Sequence, residues 1–223
     1  LARIKSLVNL EAIMKISKRP LYLVTDALNY SEEAFLNRID AACQGGVDLV
    51  QLREKELTSL QYFQRAYAVK QITDKYHVPL LIDDRLDIAQ AVKAAGVHLG
   101  QKDLPVDVAR QILGPDAIIG ATTKTLNQAQ LAVEQGADYL GVGAIFPTTT
   151  HVETVRTSVD TLKAIKQAVD IPVYAIGGLN AENVETVKPA GVDGVAVVSA
   201  IMKAADPLKA TEELHRKVIE VTN

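Results

Sequence analysis

Short apolar runs alternate with longer amphipathic stretches along the chain. Eight runs read as strands, at residues 21–24, 49–52, 80–82, 97–99, 117–119, 139–142, 173–176 and 195–198. Each is rich in Leu or β-branched residues and bounded by Gly, Pro or Asp, as strands are. Between them the apolar period changes to helical spacing. In Ser59–Lys75, for example, Leu60, Phe63, Ala66, Tyr67, Val69 and Ile72 recur at intervals near 3.6.

The lead-ins to the strands show a second regularity. Gly46-Val47-Asp48, Gly96-Val97-His98, Gly136-Ala137-Asp138 and Gly191-Val192-Asp193 stand before the second, fourth, sixth and eighth runs. Glycine is the natural helix terminator because it accepts positive φ without a steric penalty. The first, third and seventh runs are instead reached through Pro20, Pro79 and Pro172. The spacing of roughly 40 to 55 residues is the size of two strand–helix units, so it reads as quarter-barrel repetition. Eight such units in 223 residues predict a single (β/α)8 barrel. An open doubly wound sheet is the alternative with the same alternation. The barrel is expected to span residues 20–223, with residues 1–19 forming an extra N-terminal helix that plugs its bottom.

Composition narrows the class. Apolar residues make up 48% of the chain, Trp is absent, and branched aliphatics must fill the core, which suits parallel strands buried on both faces. The net charge of −3 speaks against a general nucleic-acid binder. The lone Cys43 excludes an internal disulfide framework and fits a reducing cytoplasm. No apolar run approaches the ~20 residues of a membrane span. A homo-oligomer is compatible with these totals.

In a barrel of this kind the chemistry belongs to the loops after the strands. Gly177-Gly178 after the seventh run and Val198-Ser199 after the eighth suit a phosphate, since glycines admit close backbone approach and helix starts favour anions. After the second run, alternation turns Gln51, Arg53 and Lys55 to one side, a set that fits a polyanion. Asp83-Asp84-Arg85 and Asp103 follow the third and fourth runs. Carboxylates from neighbouring loops resemble a Mg²⁺ site that carries a diphosphate; capping of a following helix is the plainer role for any one of them. Thr122 and the cluster Thr148, Thr149 and Thr150 before His151 add hydroxyls that donate to phosphate or stabilise turns. His98 reads as structural, because it occupies the place that elsewhere holds Asp. His77 and His215 read as surface helix residues, and Cys43 as core.

Taken in order, these motifs resemble the thiamine-phosphate synthase family. The segments carrying the resemblance are Leu21-Tyr22-Leu23-Val24-Thr25-Asp26, Gln51-Leu52-Arg53-Glu54-Lys55, Asp84-Arg85 before Asp87-Ile88-Ala89, His98-Leu99-Gly100-Gln101 with Asp103, Phe146-Pro147-Thr148-Thr149-Thr150, Ile176-Gly177-Gly178 and Val198-Ser199-Ala200-Ile201. The resemblance implies a transferase of thiamine biosynthesis. It joins a hydroxymethylpyrimidine diphosphate to a thiazole phosphate and releases pyrophosphate by a dissociative path. It further implies that Gln51, Arg53 and Lys55 grip the pyrimidine diphosphate and that Asp84 and Asp103 hold Mg²⁺. Thr148 and Thr150 would contact the thiazole phosphate. Gly178, Val198 and Ser199 would complete that pocket, and Arg53, Lys55, Thr122 and His151 would act at the reacting centre.

Four positions depart from the family pattern. Asp83 stands where Asn is usual, Thr122 where Ser is, His151 where Lys is, and Ser158 where Gly is. Asp83 brings an anion beside a diphosphate, and His151 replaces a permanent cation with a group that titrates near ~6.5. Two other activities fit part of the motif set. One is a metal-independent thiazole tautomerase, which His151 would favour and the charged second loop opposes. The other is a non-catalytic barrel that only binds a phosphate ligand.

Overall fold

The computed structural model describes residues 16, 19–27, 30–147 and 156–223. Eight parallel strands close into a barrel in chain order, β1 pairing with β8. The strands are β1 (Leu21–Val24), β2 (Leu49–Leu52), β3 (Leu80–Asp83), β4 (Gly96–Leu99), β5 (Ile118–Thr123), β6 (Tyr139–Val142), β7 (Val173–Ile176) and β8 (Gly194–Val197). The helices are α1 (Glu32–Gln44), α2 (Ser59–Lys75), α3 (Leu86–Val92), α4 (Val106–Leu113), α5 (Leu126–Glu134), α6 (Val159–Ala168), a 3₁₀ segment (Val184–Ala190), α7 (Ser199–Met202) and α8 (Pro207–Thr222).

The predicted strands are all present. The largest difference is β5, which runs on to Thr123 instead of ending at Ile119. Its second half, Gly120-Ala121-Thr122-Thr123, is too small and polar to read as a strand. It is held there by pairing to β4 and β6 on both sides. The predicted helix over residues 1–19 lies outside the described residues except at Ile16 and Arg19. Ile16 is fully buried, and its carbonyl and that of Arg19 each accept a 2.9 Å hydrogen bond from the Tyr174 hydroxyl.

Strand alternation divides the core in two. Outward residues such as Leu23, Val50, Ile82, Val97 and Val195 pack against the helices. Inward residues Tyr22, Leu49, Leu81, Ile118, Tyr139, Tyr174 and Ala196 fill the barrel with Ile16. The three tyrosine rings pack edge-to-face, with centroids 5.4 to 6.0 Å apart. Such rings fit only where neighbouring strands give up their side chains. A methyl group at Gly120 would lie 2.1 Å from the Tyr139 ring, and one at Gly194 would lie 2.4 Å from the Tyr174 ring. Gly120→Ala is therefore expected to lower stability by about 1–3 kcal/mol or more, as overpacking does. A urea titration that left the midpoint unchanged would contradict this packing.

The strand lead-ins have a physical purpose. Gly46, Gly136 and Gly191 adopt φ values of 96°, 92° and 65°. Two residues on, Asp48, Asp138 and Asp193 each accept a backbone N–H from the preceding strand. The donors are Leu21, Ile119 and Val173, at 3.0, 2.7 and 2.7 Å. The prolines serve the same seam, because Pro20, Pro79 and Pro172 offer their carbonyls to Val195, Val50 and Leu140. The fourth lead-in corrects the expectation. Its left-handed residue is Lys93 at φ 53°, and Ala95 holds the place of the aspartate. Gly96 is already the first residue of β4, so His98 lies two residues inside the strand and points into the barrel.

Candidate active site

The open end of the barrel holds a cavity of about 650 Å³. Gln51, Arg53 and Lys55 all line it, although β2 itself ends at Leu52. What keeps the following loop aligned is a set of braces. The Thr25 hydroxyl accepts from Arg53 N at 3.1 Å, and the Tyr62 hydroxyl donates to the Leu52 carbonyl at 2.8 Å. Glu54 turns the other way and meets Arg65 at 2.8 Å. The run Arg53-Glu54-Lys55 is thus sorted by its partners, with both cations at the cavity and the anion on α2.

Asp83, at the end of β3, is buried beneath these cations. Its Oδ2 lies 2.6 Å from Lys55 Nζ and 3.8 Å from Arg53 Nε. Burial, reinforced by Asp84, pushes its pKa up to about 6 despite both cations. Burial alone would lower the pKa of Lys55, but Asp83 and Asp84 outweigh it and leave the ammonium pKa raised. Arg85, in contrast, faces away. It pairs with Asp87 and donates to Ser59 Oγ at 2.9 Å.

Asp84 adopts a left-handed backbone with φ 59°. A non-glycine residue there stores roughly 1–2 kcal/mol of strain, which the surrounding bonds Asp84 N to His98 O and Arg85 N to Asp83 O hold in place. The twist brings Asp84 to Lys55 and into hydrogen-bond contact with Asp103. Asp103 is fixed by Gly100 N, which donates to its Oδ2 at 2.7 Å. Burial opposes charge on both carboxyls, and the bond between them settles it unequally. Asp84 ends below the usual carboxylate range and Asp103 above it. Two hard oxygen donors side by side at a cavity wall are a donor set that suits a divalent cation. Among the described residues no group of three or more His, Cys, Asp or Glu forms a metal cage, so a cation here would need further oxygens from a ligand.

The opposite wall is built by β5, β7 and β8. Thr122, Gly178, Val198 and Ser199 all line the cavity. Gly177 and Gly178 sit at φ 103° and 66°, and added methyl groups would fall 2.5 Å from Ala144 and 2.7 Å from Phe146. Glycine is thus required twice over at this turn. Thr148, Thr150 and His151 lie outside the described residues. Ser158, one of the four departures, has a local role: its hydroxyl caps α6, accepting from Thr161 N at 3.0 Å.

Three residues at the cavity floor were not assigned a site role from sequence. Tyr22 and His98 line the cavity, and Tyr139 lies directly under them. His98 Nε2 lies 2.8 Å from Thr122 Oγ1. Tyr22 reads as core within an apolar run, and His98 was aligned with the wrong strand position. The inward parity of both was the available signal. Among the described residues, His77 and His215 stay clear of the site. His77 is exposed and His215 meets Asp48 at 3.5 Å, while Cys43 is buried and unpaired.

A family model for thiamine monophosphate synthase matches residues 21–201. The chain is 53% identical to thiamine-phosphate synthase 2 of Streptococcus pneumoniae over 198 residues, covering 89% of this chain and 94% of that one. It is 50% identical to thiamine-phosphate synthase of Lacticaseibacillus paracasei over 205 residues, covering 92% and 96%. Its fold matches thiamine phosphate pyrophosphorylase from Pyrococcus furiosus with a TM-score of 0.84 and 40% identity, covering 94% of this chain and all of that one. The matched region spans every strand of the barrel and every described loop of the cavity, and on these grounds the chain belongs to the thiamine-phosphate synthase family.

Proposed function

We propose that this barrel makes thiamine phosphate from a hydroxymethylpyrimidine diphosphate and a thiazole phosphate, with release of pyrophosphate by a dissociative path. The observation that carries the reading is the polarity of the cavity. Arg53 and Lys55 line one wall with Asp84 and Asp103 beside them, and the Gly177-Gly178 turn with Ser199 forms the other. One wall suits a diphosphate leaving group and the other a monophosphate. Arg53 and Lys55 neutralise charge that grows on the departing pyrophosphate, which is what a dissociative reaction asks of a protein. The two walls hold the partners so that the thiazole nitrogen faces the carbon being vacated. Thr148, Thr150 and His151 belong to this assignment through the family motif.

Asp84 and Asp103 fit Mg²⁺, completed by diphosphate oxygens, as the ion usually keeps one or two carboxylates. When bound, the ion would supply charge neutralisation for the leaving group. The decisive assay supplies both substrates with and without Mg²⁺. Product only with all three supports the assignment, and a folded protein that binds both substrates yet makes no product would overturn it. Among the described residues no helix is long and apolar enough to cross a membrane. The buried, unpaired Cys43 supports a cytoplasmic setting, and exposed apolar residues such as Leu60, Tyr67 and Leu131 leave room for a homo-oligomer.

Asp83 makes the site sensitive to pH. Its pKa of about 6 means that it is neutral in acid and an anion at pH 8. As an anion it opposes the diphosphate and occupies Lys55. Asp83→Asn is therefore expected to lower KM for the pyrimidine diphosphate by about tenfold at pH 8 and hardly at pH 5, following the charge it removes. The ratio of the two KM values should rise through pH 6 and then level. A ratio that stayed flat across this range would remove Asp83 as the cause.

A further inference from the structure

A single hydrogen-bonded chain crosses the floor of the cavity from β2 to β5. Gln51 Nε2 donates to the Tyr22 hydroxyl. Tyr22 and Tyr139 share a bond of 2.9 Å, Tyr139 meets His98 Nδ1 at 2.8 Å, and His98 Nε2 meets Thr122 Oγ1 at 2.8 Å. Gln51 and Thr122 line the cavity, and the links between them are buried.

Proton counting gives this chain a direction. The Tyr22 oxygen receives the Gln51 proton, and among the described residues its other partner is the Tyr139 hydroxyl, so its own proton goes to Tyr139. Tyr139 in turn donates to His98 Nδ1. A neutral imidazole carries one proton, which must then sit on Nε2 and point at Thr122. Thr122 accepts that bond, and its own proton is left to face the cavity. We propose that Tyr22, Tyr139 and His98 are positioning residues that transmit the orientation of the Gln51 amide to Thr122 and so fix the Thr122 hydroxyl as a donor to an anionic oxygen of the ligand. The proposal rests on the diphosphate reading of the cavity only in its last step, the identity of the acceptor.

Two features of the barrel keep the chain in one arrangement. The rings of Tyr22, Tyr139 and Tyr174 lock one another edge-to-face. Gly120 and Gly141 leave the space that Tyr139 and His98 fill, since added methyl groups would lie 2.1 Å and 3.2 Å from those rings. Burial also pushes His98 down to about 4, so the imidazole stays neutral and keeps a single proton to place. A hydroxyl whose proton is already aimed needs no reorganisation when charge arrives, which is the condition for electrostatic preorganisation.

The direction can be reversed by one substitution. Gln51→Glu puts an acceptor where the amide donated. Tyr22 would then donate to Glu, Tyr139 to Tyr22, His98 Nδ1 to Tyr139, and Thr122 to His98 Nε2. Nitrogen-15 NMR of the imidazoles, with His98 assigned by its loss in a His98→Gln variant, reads this directly in the protein without ligand. The expected result is the Nε2–H tautomer in the parent chain and the Nδ1–H tautomer in Gln51→Glu. An Nδ1–H parent, or an unchanged tautomer in the variant, overturns the proposal. Should Gln51→Glu fail to fold, Tyr139→Phe keeps the ring and cuts the chain, and the Nε2–H preference should then be lost; its retention overturns the proposal.

Kinetics test the last step separately. Tyr139→Phe should lower kcat by about tenfold, the scale of one hydrogen bond to a charged group, with KM for the thiazole phosphate unchanged. In a Thr122→Val background the same change should cost nothing more, whereas equal losses in both backgrounds overturn the link to Thr122. If no thiamine phosphate forms in the parent chain, the diphosphate reading fails, while the tautomer result still decides the direction of the chain.

Discussion

Lys55→Ala is expected to lower kcat/KM for the pyrimidine diphosphate by about 10²–10³-fold, the usual loss when one preorganised charge donor is removed from a developing anion. The effect should exceed that of a simple contact for a geometric reason. Lys55 Nζ sits between Asp83 and Asp84, 2.6 Å from Asp83 Oδ2. Removing it deletes a cation and also leaves two carboxylates facing the diphosphate. Asp83, already pushed up to about 6 by burial and by Asp84, would rise further. The loss should therefore be greatest at pH 8 and smaller near pH 6, where Asp83 holds more of its proton. Adding Asp83→Asn to Lys55→Ala should recover about tenfold at pH 8. Steady-state kinetics of the parent and both variants across roughly pH 5.5–8.5 checks this. A Lys55→Ala enzyme within a few-fold of the parent would place the diphosphate elsewhere in the cavity.

Arg110→Ala should produce the largest loss of stability, about 3–5 kcal/mol, as when one partner of a buried ion pair is removed. Asp138 is 1% exposed and its Oδ2 lies 2.6 Å from Arg110 Nη2. That same oxygen accepts from Ile119 N at 2.7 Å and ties β5 to β6. Arg110 also donates to the carbonyls of Gly114, Ala117 and Gly136, so one side chain closes this corner of the barrel. The sign with pH follows from linkage. Burial raises the pKa of Asp138, with Arg110 offsetting part of that effect. Without Arg110 the folded-state pKa rises further above the unfolded value. The folded variant then binds more protons, so its stability falls as pH rises from the unfolded pKa through the folded one. The penalty is smallest in acid and fully present above the folded pKa. Adding Asp138→Asn should relieve it at pH 8. Urea titrations at pH 5 and pH 8 would show the difference, and equal losses at both would reject buried charge as the cause. The seam lies at the strand starts, away from the cavity, so activity per folded molecule should change little.

The two effects fall at opposite ends of the same strands. Charge at the strand starts is matched pair by pair, as with Asp138 and Arg110, or Asp193 and Lys166 at 2.7 Å. Charge at the strand ends is deliberately crowded, with Asp83, Asp84 and Asp103 close to Lys55. The first arrangement holds the barrel closed, and the second stores electrostatic cost that a polyanion with its cation would release.

The sequence by itself determined the number and order of the strands, because runs that must be buried on both faces cannot avoid being apolar. It also determined which loops carry the site, since Arg53, Lys55, Asp84, Asp103 and Gly177-Gly178 stand past those runs, Gln51 stands near the end of one, and all of them line the cavity. Their roles came from the family resemblance and not from periodicity. The Gly-X-Asp lead-ins were legible as a repeat, while their purpose was not: an aspartate that accepts a neighbouring strand's N–H is a contact between segments 19 to 27 residues apart.

Only the tertiary structure decided the rest. It extended β5 through Gly120-Ala121-Thr122-Thr123, whose strand character comes from two neighbours and not from its own composition. It turned Arg85 away from the cavity and Glu54 onto Arg65, choices made by partners on other elements. It also moved His98 from the barrel seam to the cavity floor. The fourth lead-in uses Lys93 and Ala95 in place of glycine and aspartate, and a shift of register along a strand is invisible until its hydrogen bonds are in place. The chain from Gln51 to Thr122 joins residues of five strands through their inward faces. Closing the barrel brings those faces together, and no local pattern in any one strand carries that information.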